Sequence, residues 1–367
     1  MKRESSPAAD ARAWVEVDLG ALVRNARALS AHAAKPLIPM VKADAYGLGA
    51  VPVVRALESV GPLAYGVSSL VEGEELRRAG ITRPIIHFTP SPLESSDGEE
   101  MVEHRITPTF ARSADILAWG ELRSDLGWHL AIDTGMHRAG ADHAAVGALR
   151  DALLAHPPEG AFTHFHSSES DDGSIAEQER LFRDALAALP ARPRLLHTEN
   201  SSAIARRSPS PWDCVRPGIF LYGVGGGRTA ILQPEPVVTM RARILELRDV
   251  KAGESVSYGA TWRALRRTRI ATVACGYADG LRRQIGNGGV GLVRGQRAPI
   301  VGVVTMDMTM LDVSAVPCEV GDVITFLGRD GGEQLTVEAV AVAAGLSPYE
   351  LLTGLKMRLP RTYLGIW

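Results

Sequence analysis

Eight short apolar runs, most of them separated by segments of helical periodicity, fill the chain between Leu37 and Phe220. In order they read LIPMVKA, AYGVSS, PIIHFTP, ITPTF, WHLAIDTG, AFTHFH, RLLHTEN and CVRPGIF. Amphipathic stretches such as VPVVRALESV, LVEGEELRRAG, ADILAWGELRSDL, AAVGALRDALLAH and IAEQERLFRDALAAL lie between them, and ALVRNARALSAHAA precedes the first. Runs this short that alternate with helices imply parallel strands joined by crossover helices. Eight such units in about 200 residues point to a (β/α)8 TIM-like barrel rather than an open doubly wound sheet. The fold class is therefore α/β.

Near Gly223 the texture changes. GVGGGRTA reads as a turn-rich link, and the two prolines of QPEPVVTM break any helix. Beyond it strand-like runs dominate (VVTMRARILEL, RIATVACGY, GLVRGQRAPIVGVVTMDMTMLDV, VITFLG), interrupted by one helix, TVEAVAVAAGL. The expected division is a flexible tail over 1–13, a barrel over 14–233 and a mostly β domain over 234–367.

Composition narrows the partners. A formal net charge of −2 and a pI near 6.6 leave no electrostatic footprint for nucleic acid, and no basic run marks a membrane surface. The N-terminal MKRESSPAADARA lacks the apolar core of a signal peptide, and no apolar run is long enough to span a bilayer. Three widely spaced cysteines, Cys214, Cys275 and Cys318, suit a reducing compartment and a cytoplasmic protein. They form no thiolate metal site, and no metal is expected.

In a barrel of this kind the active site lies where the strands end. Lys42 ends the first run, and Asp133 to Arg138 follow the fifth. His164 ends the sixth, His197, Asn200 and Ser201 the seventh, and Arg216, Gly218 and Ile219 the eighth. Lys42 admits two readings: an amine that snorkels to water, or a desolvated amine of lowered pKa fit to form a Schiff base. Ser201 and Gly218 lie on the loops that cradle phosphate in this fold. An amine facing a phosphate cradle suits pyridoxal 5'-phosphate.

VKADAYGLG, DTGMHRAG, THF, VRPGIFLYG, VSYGATW, GYADG and MDM resemble, in that order, the motifs of alanine racemases. The resemblance runs from about Trp14 to Arg361 and includes both domains. It implies a pyridoxal-phosphate isomerase acting on a small amino acid, built as a head-to-tail homodimer with shared active sites. Lys42 is then the Schiff-base lysine and one proton-transfer base, and Tyr258 of the partner subunit is the other. Tyr46, Ser201, Gly218 and Ile219 would hold the phosphate, His164 would pack on the ring, and Arg216 would face the pyridine nitrogen. Arg138 and the Met306 backbone would receive the substrate carboxylate, while Tyr277 would narrow the entrance. Racemisation needs two bases because the Cα proton leaves one face and returns to the other. An arginine opposite the pyridine nitrogen cannot take up its proton, so the ring is a weaker electron sink with less leakage into transamination.

Taken one at a time, these residues have plainer readings. Tyr258 in a glycine-containing β segment packs, His164 is a core histidine, Asp133 caps a turn, and MDMTM is alternate-face core. The order and spacing of the whole set favour the catalytic roles of Lys42, Tyr258 and Arg216; Tyr277 and His197 stay open.

Three positions depart from the family pattern. Many relatives carry a carbamylated lysine where this chain has Ala131, so a chloride, a water cluster or His137 is expected to brace Arg138. HSSESDD follows THF where a small residue and an Ala-Asp pair are usual, and Met357 occupies a position that is tyrosine at the entrance in some relatives. Other readings are a racemase of serine or a larger amino acid, a barrel decarboxylase, a non-catalytic pyridoxal-phosphate carrier, and a barrel whose Lys42 binds nothing. A carrier would stop near residue 230, and the decarboxylase's glycine-rich segment and Cys-Asp pair are not evident.

Overall fold

The computed structural model describes residues 11–90, 92–93, 95–122, 124–227 and 229–365. All eight apolar runs become barrel strands, and the ring closes. The second strand, Tyr65–Val67, pairs in parallel with Ile85–His87, and that strand with Ile106–Thr107. Pro108 interrupts the fourth strand, whose second half, Thr109–Phe110, pairs with the fifth, His129–Asp133. The fifth pairs with Gly160–Phe162, and the sixth with Leu195–His197. The first and eighth strands are too irregular to carry full ladders. They still join the ring through Ile38 N–H to the Val215 carbonyl (2.8 Å), Val41 N–H to Gly66 (2.9 Å) and Arg216 N–H to Glu199 (2.9 Å). The crossover helices include Ala50–Leu57, Leu70–Arg78, Ser113–Glu121 and Ser174–Ala187, close to the amphipathic stretches that suggested them.

The β domain is organised around one long strand, Val238–Val250, which pairs antiparallel with Thr268–Val273 and Val323–Asp330. Its remaining partner corrects the expected division. The strand Ala13–Asp18 pairs antiparallel with Val238–Val250 and in parallel with Arg361–Leu364, so residues 14–18 belong to the β domain, not to the barrel. The alternating WVEVD signal is that of a strand, but its partners lie at the far end of the sequence. The expected tail is corrected likewise for residues 11–13, because Arg12 is bonded to the Ala274 carbonyl at 2.6 Å and to Asp279 at 2.6 Å. Residues 1–10 of that expected tail lie outside the described residues. From Asp18, whose carboxylate caps the helix Leu19–Ala33 by accepting from Ala21 N–H, the chain enters the barrel. It returns through a link that buried Asn25 pins by bonding both the N–H and the carbonyl of Glu235, at 2.7 and 2.9 Å.

A second helix missed in the sequence, Pro348–Thr353, starts from the capping box of Ser347 and Glu350 and reaches the barrel mouth. Cys214, Cys275 and Cys318 are free and buried. Among the described residues no helix is long and apolar enough to cross a membrane.

Candidate active site

A cavity of about 780 Å³ opens at the C-terminal ends of the barrel strands. A second, of about 620 Å³, lies at the opposite end beside Pro84, Gly127 and Glu159. Its charged rim pairs internally, Arg105 with Asp125 and Arg194 with Glu159. Of the sequence candidates, Lys42, Tyr46, Arg138, His164, Ser201, Arg216, Gly218 and Ile219 all line the first cavity. Chemistry therefore favours the C-terminal mouth.

Lys42 sits where the first strand becomes one tight turn. Ala43, Asp44, Ala45 and Tyr46 all have φ between 51 and 56°, a left-handed run of four non-glycine residues. Each such residue costs about 1–2 kcal/mol, so the turn persists only because neighbours hold it. Glu72 accepts the Ala43 N–H at 2.7 Å while also capping its own helix at Ser69. The Asp44 carboxylate accepts Ala50 N–H at 2.7 Å, and the Gly47 carbonyl accepts from Arg361 at 3.0 Å. Tyr46 packs between Tyr222 and Tyr349, with ring centroids 4.8 and 6.0 Å away. Burial lowers the Lys42 pKa, and the guanidinium groups of Arg138 and Arg216 lower it further against the opposing pull of Glu72. Of the two readings of Lys42, the desolvated amine is the one the geometry supports.

Across the cavity a Cβ on Gly218 would lie 2.4 Å from the Tyr46 hydroxyl, so only glycine lets these two groups share the space. The Ser201 hydroxyl accepts the N–H of Gly218 at 2.8 Å and of Phe220 at 3.2 Å, which fixes the loop beside them. The Tyr46 and Ser201 hydroxyls and the Ile219 N–H, brought close by Gly218, thus form a cradle of donors of the kind a phosphate takes.

Arg216, 4% exposed, lines the same cavity. Its guanidinium donates to the carbonyls of His197, Thr163 and Thr198 at 2.6, 2.8 and 3.1 Å, and to His197 Nδ1 at 2.8 Å. No carboxylate among the described residues pairs with it, and burial pulls its pKa down to about 10. Because Arg216 can only donate, His197 Nδ1 must accept, its proton sits on Nε2, and that nitrogen donates to His129 Nδ1 at 2.9 Å. Burial and Arg216 hold both imidazoles neutral, His129 down to about 3 and His197 well below its usual value. His164 lies 3.5 Å from Arg216 and is likewise pushed down to about 3, by burial, Arg216, Arg138 and Lys42.

Three candidates lie elsewhere in the chain. Tyr258, Tyr277 and Met306 are 73%, 40% and 52% exposed on neighbouring loops of the β domain and do not line this cavity. Of the braces expected for Arg138, His137 is corrected: its ring lies 3.8 Å from Asp133 and its side chain points to solvent. Met357, 77% exposed, does not line the cavity of its own chain, whereas Tyr349, on the missed helix, lines the mouth. The S-x-x-E capping box of SPYE could have disclosed that helix, and with it Tyr349.

Residues 17–225 match the alanine racemase N-terminal domain and residues 237–363 match the alanine racemase C-terminal domain. The chain belongs to the alanine racemase family. The alanine racemase of Sorangium cellulosum (strain So ce56) is 39% identical over 371 residues, covering 95% of this chain and 98% of that protein. The crystal structure of alanine racemase from E. faecalis superposes with a TM-score of 0.90 at 28% identity, over 98% of this chain and 100% of that one. Alanine racemase from Bartonella henselae, whose crystal structure contains covalently bound pyridoxal phosphate, gives a TM-score of 0.88 at 28% identity over 96% and 100% of the two chains. The amine, cradle and uncompensated guanidinium of this racemase-family chain fit that cofactor by their own chemistry.

Proposed function

We propose that this chain interconverts L- and D-alanine, with pyridoxal phosphate anchored on Lys42, in a homodimer whose sites are each completed by the partner's β domain. One observation carries the reading. A single cavity holds a desolvated lysine amine, a glycine-dependent cradle of donors and a guanidinium that pairs with no carboxylate among the described residues.

When bound, pyridoxal phosphate withdraws electrons from the substrate Cα and so makes its proton acidic. Lys42 supplies the anchoring amine. Its lowered pKa leaves more of Nζ neutral near physiological pH, able to take or return the Cα proton on one face. Tyr258 of the partner subunit would serve the opposite face; its exposure on its own chain leaves the phenol available for that purpose. Arg138, which makes no hydrogen bond or ion pair with the described residues of its own chain, is free to receive the substrate carboxylate. Arg216 donates at every contact it makes and therefore favours an unprotonated pyridine nitrogen. His164 offers a neutral ring to pack against the cofactor. Met306 and Tyr277 of the partner subunit would close the substrate end. Three free, buried thiols fit a cytoplasmic setting.

The test combines two measurements. Incubation of L-alanine, L-serine and L-arginine in deuterated water should give inversion with Cα exchange for alanine above the others. Borohydride reduction followed by mass spectrometry should place the cofactor on Lys42. Label on another side chain would end the proposal, and faster serine turnover would reassign the substrate. Lys42→Ala chains mixed with Tyr258→Phe chains should regain activity as heterodimers, and no recovery would count against shared sites.

A further inference from the structure

The run Arg358-Leu359-Pro360-Arg361 carries two arginines that face in different directions. Arg361 reaches the barrel mouth. Its Nη2 donates to the Gly47 carbonyl at 3.0 Å and to Leu355 at 3.0 Å, and its Nη1 to Lys356 and Leu359 at 2.6 and 2.7 Å. Gly47 closes the strained left-handed turn that begins at Lys42, so Arg361 holds that turn from its C-terminal side.

Arg358 instead lies in the β domain. Its Nε donates to Asp279 Oδ1 at 2.6 Å, and its Nη2 bridges Asp279 Oδ2 at 3.2 Å and Asp307 Oδ1 at 2.6 Å. Asp279 belongs to GYADG, two residues from Tyr277. Its carboxylate is fully buried, accepts Gly276 N–H at 2.9 Å and also receives Arg12. Asp307 belongs to MDM, next to Met306. The two loops are also bonded directly, Tyr277 N–H to Thr305 and Ala278 N–H to Met306, both at 3.0 Å. Gly302 N–H to Asn287 (2.6 Å) and Ser257 Oγ to Val303 (2.7 Å) extend the same frame to the Tyr258 loop. One guanidinium therefore spans the two loops that carry Tyr277 and Met306.

We propose that these two arginines serve opposite active sites of the dimer: Arg361 braces the lysine turn of its own chain, and Arg358 sets the loops that its chain lends to the partner. This rests on the shared-site reading above. Both are positioning residues, because neither touches the reacting atoms. Four residues of backbone then join the two sites of a dimer.

One-site heterodimers test the assignment. A Lys42→Ala chain can only lend loops, so the surviving site uses the lysine of its partner. Arg358→Gln on the Lys42→Ala chain should lower kcat/KM of the surviving site about tenfold, chiefly through KM, since small misplacements of substrate-positioning groups have effects of that order or larger. The same substitution on the lysine-bearing chain should leave the heterodimer at the rate of its Lys42→Ala/wild-type reference. Arg361→Gln should show the reverse, and should also reduce borohydride labelling of Lys42 on its own chain, read by mass spectrometry with the chains separated by tag mass. Asp307→Asn, which breaks only the more exposed arm of the frame, should repeat the Arg358 pattern more weakly and guards against a misfolded Arg358 variant. Equal losses in both arrangements, or an Arg358 loss confined to the lysine-bearing chain, would overturn the proposal. Failure of the Lys42→Ala/Tyr258→Phe complementation is a different result: it removes shared sites themselves.

Discussion

At the barrel mouth Arg216 is buried among carbonyls and an imidazole and pairs with no carboxylate among the described residues, whereas in the β domain Arg12 and Arg358 converge on the fully buried carboxylate of Asp279. The two networks solve different problems. Where a ligand must arrive, the charge is left unmatched and its donors are aimed by backbone oxygens and neutral rings. Where only a loop shape is needed, opposite charges are closed on each other. Burying an unmatched cation costs several kcal/mol, so the mouth is expected to be the less stable of the two regions.

Acid should separate them most widely. His129 and His197 have folded pKa values below the ordinary imidazole value of about 6.5. Such groups contribute their full stability above about pH 6.5 and lose it as pH falls toward the folded value, about 3 for His129. The loss is roughly 1.4 kcal/mol per pH unit for each imidazole. For Asp279, burial raises the pKa, but Arg358, the Gly276 N–H and Arg12 outweigh it and hold the carboxyl below its usual range. Its contribution is full above about pH 4 and is lost only as pH falls through the depressed value. Melting curves between pH 7 and 4.5 should therefore fall steadily for the wild type and less steeply for His129→Gln. Parallel slopes would refute the imidazole account.

Asp279→Ala should destabilise by about 3 kcal/mol at neutral pH, at the low end for a broken buried pair because both arginines can reach water. Denaturant unfolding measures it, and a change below about 1 kcal/mol would make the β-domain network dispensable. Gly218→Ala should cost about 1–3 kcal/mol through its clash with the Tyr46 hydroxyl. Adding Tyr46→Phe should recover part of that loss. If the double variant melts no higher than the single one, the cradle is not shaped by that contact. The smallest effect separates two candidate entrance residues: Met357→Ala should change stability by less than about 0.5 kcal/mol and leave KM alone, while Tyr349→Ala should alter KM. A KM change for Met357→Ala alone would reverse that assignment.

The barrel was legible because eight apolar runs and their helices repeat a local pattern, and local pattern is what sequence periodicity reports. The strand Ala13–Asp18 was read into the wrong domain because its partners at Val238–Val250 and Arg361–Leu364 are remote. Lys42, Ser201, Arg216 and Gly218 were legible as strand-end chemistry, and Tyr46 only through the resemblance carried by VKADAYGLG. The left-handed turn at Ala43–Tyr46 was not, since Ala-Asp-Ala-Tyr has no intrinsic preference for positive φ and is forced there by Glu72, Arg361 and Tyr349. Tyr349 was missed because its helix, Pro348–Thr353, is too short for a periodic signal.

The strand Ala13–Asp18 is synthesised before both of its neighbours, Val238–Val250 and Arg361–Leu364, and must wait for them. During that interval its edges stay open to any other extended segment, including those of sister chains on the same messenger. A product released before Arg361–Leu364 is made would have an unsealed sheet and a lysine turn without its Arg361 brace, a species that proteases and chaperones can tell from the folded chain.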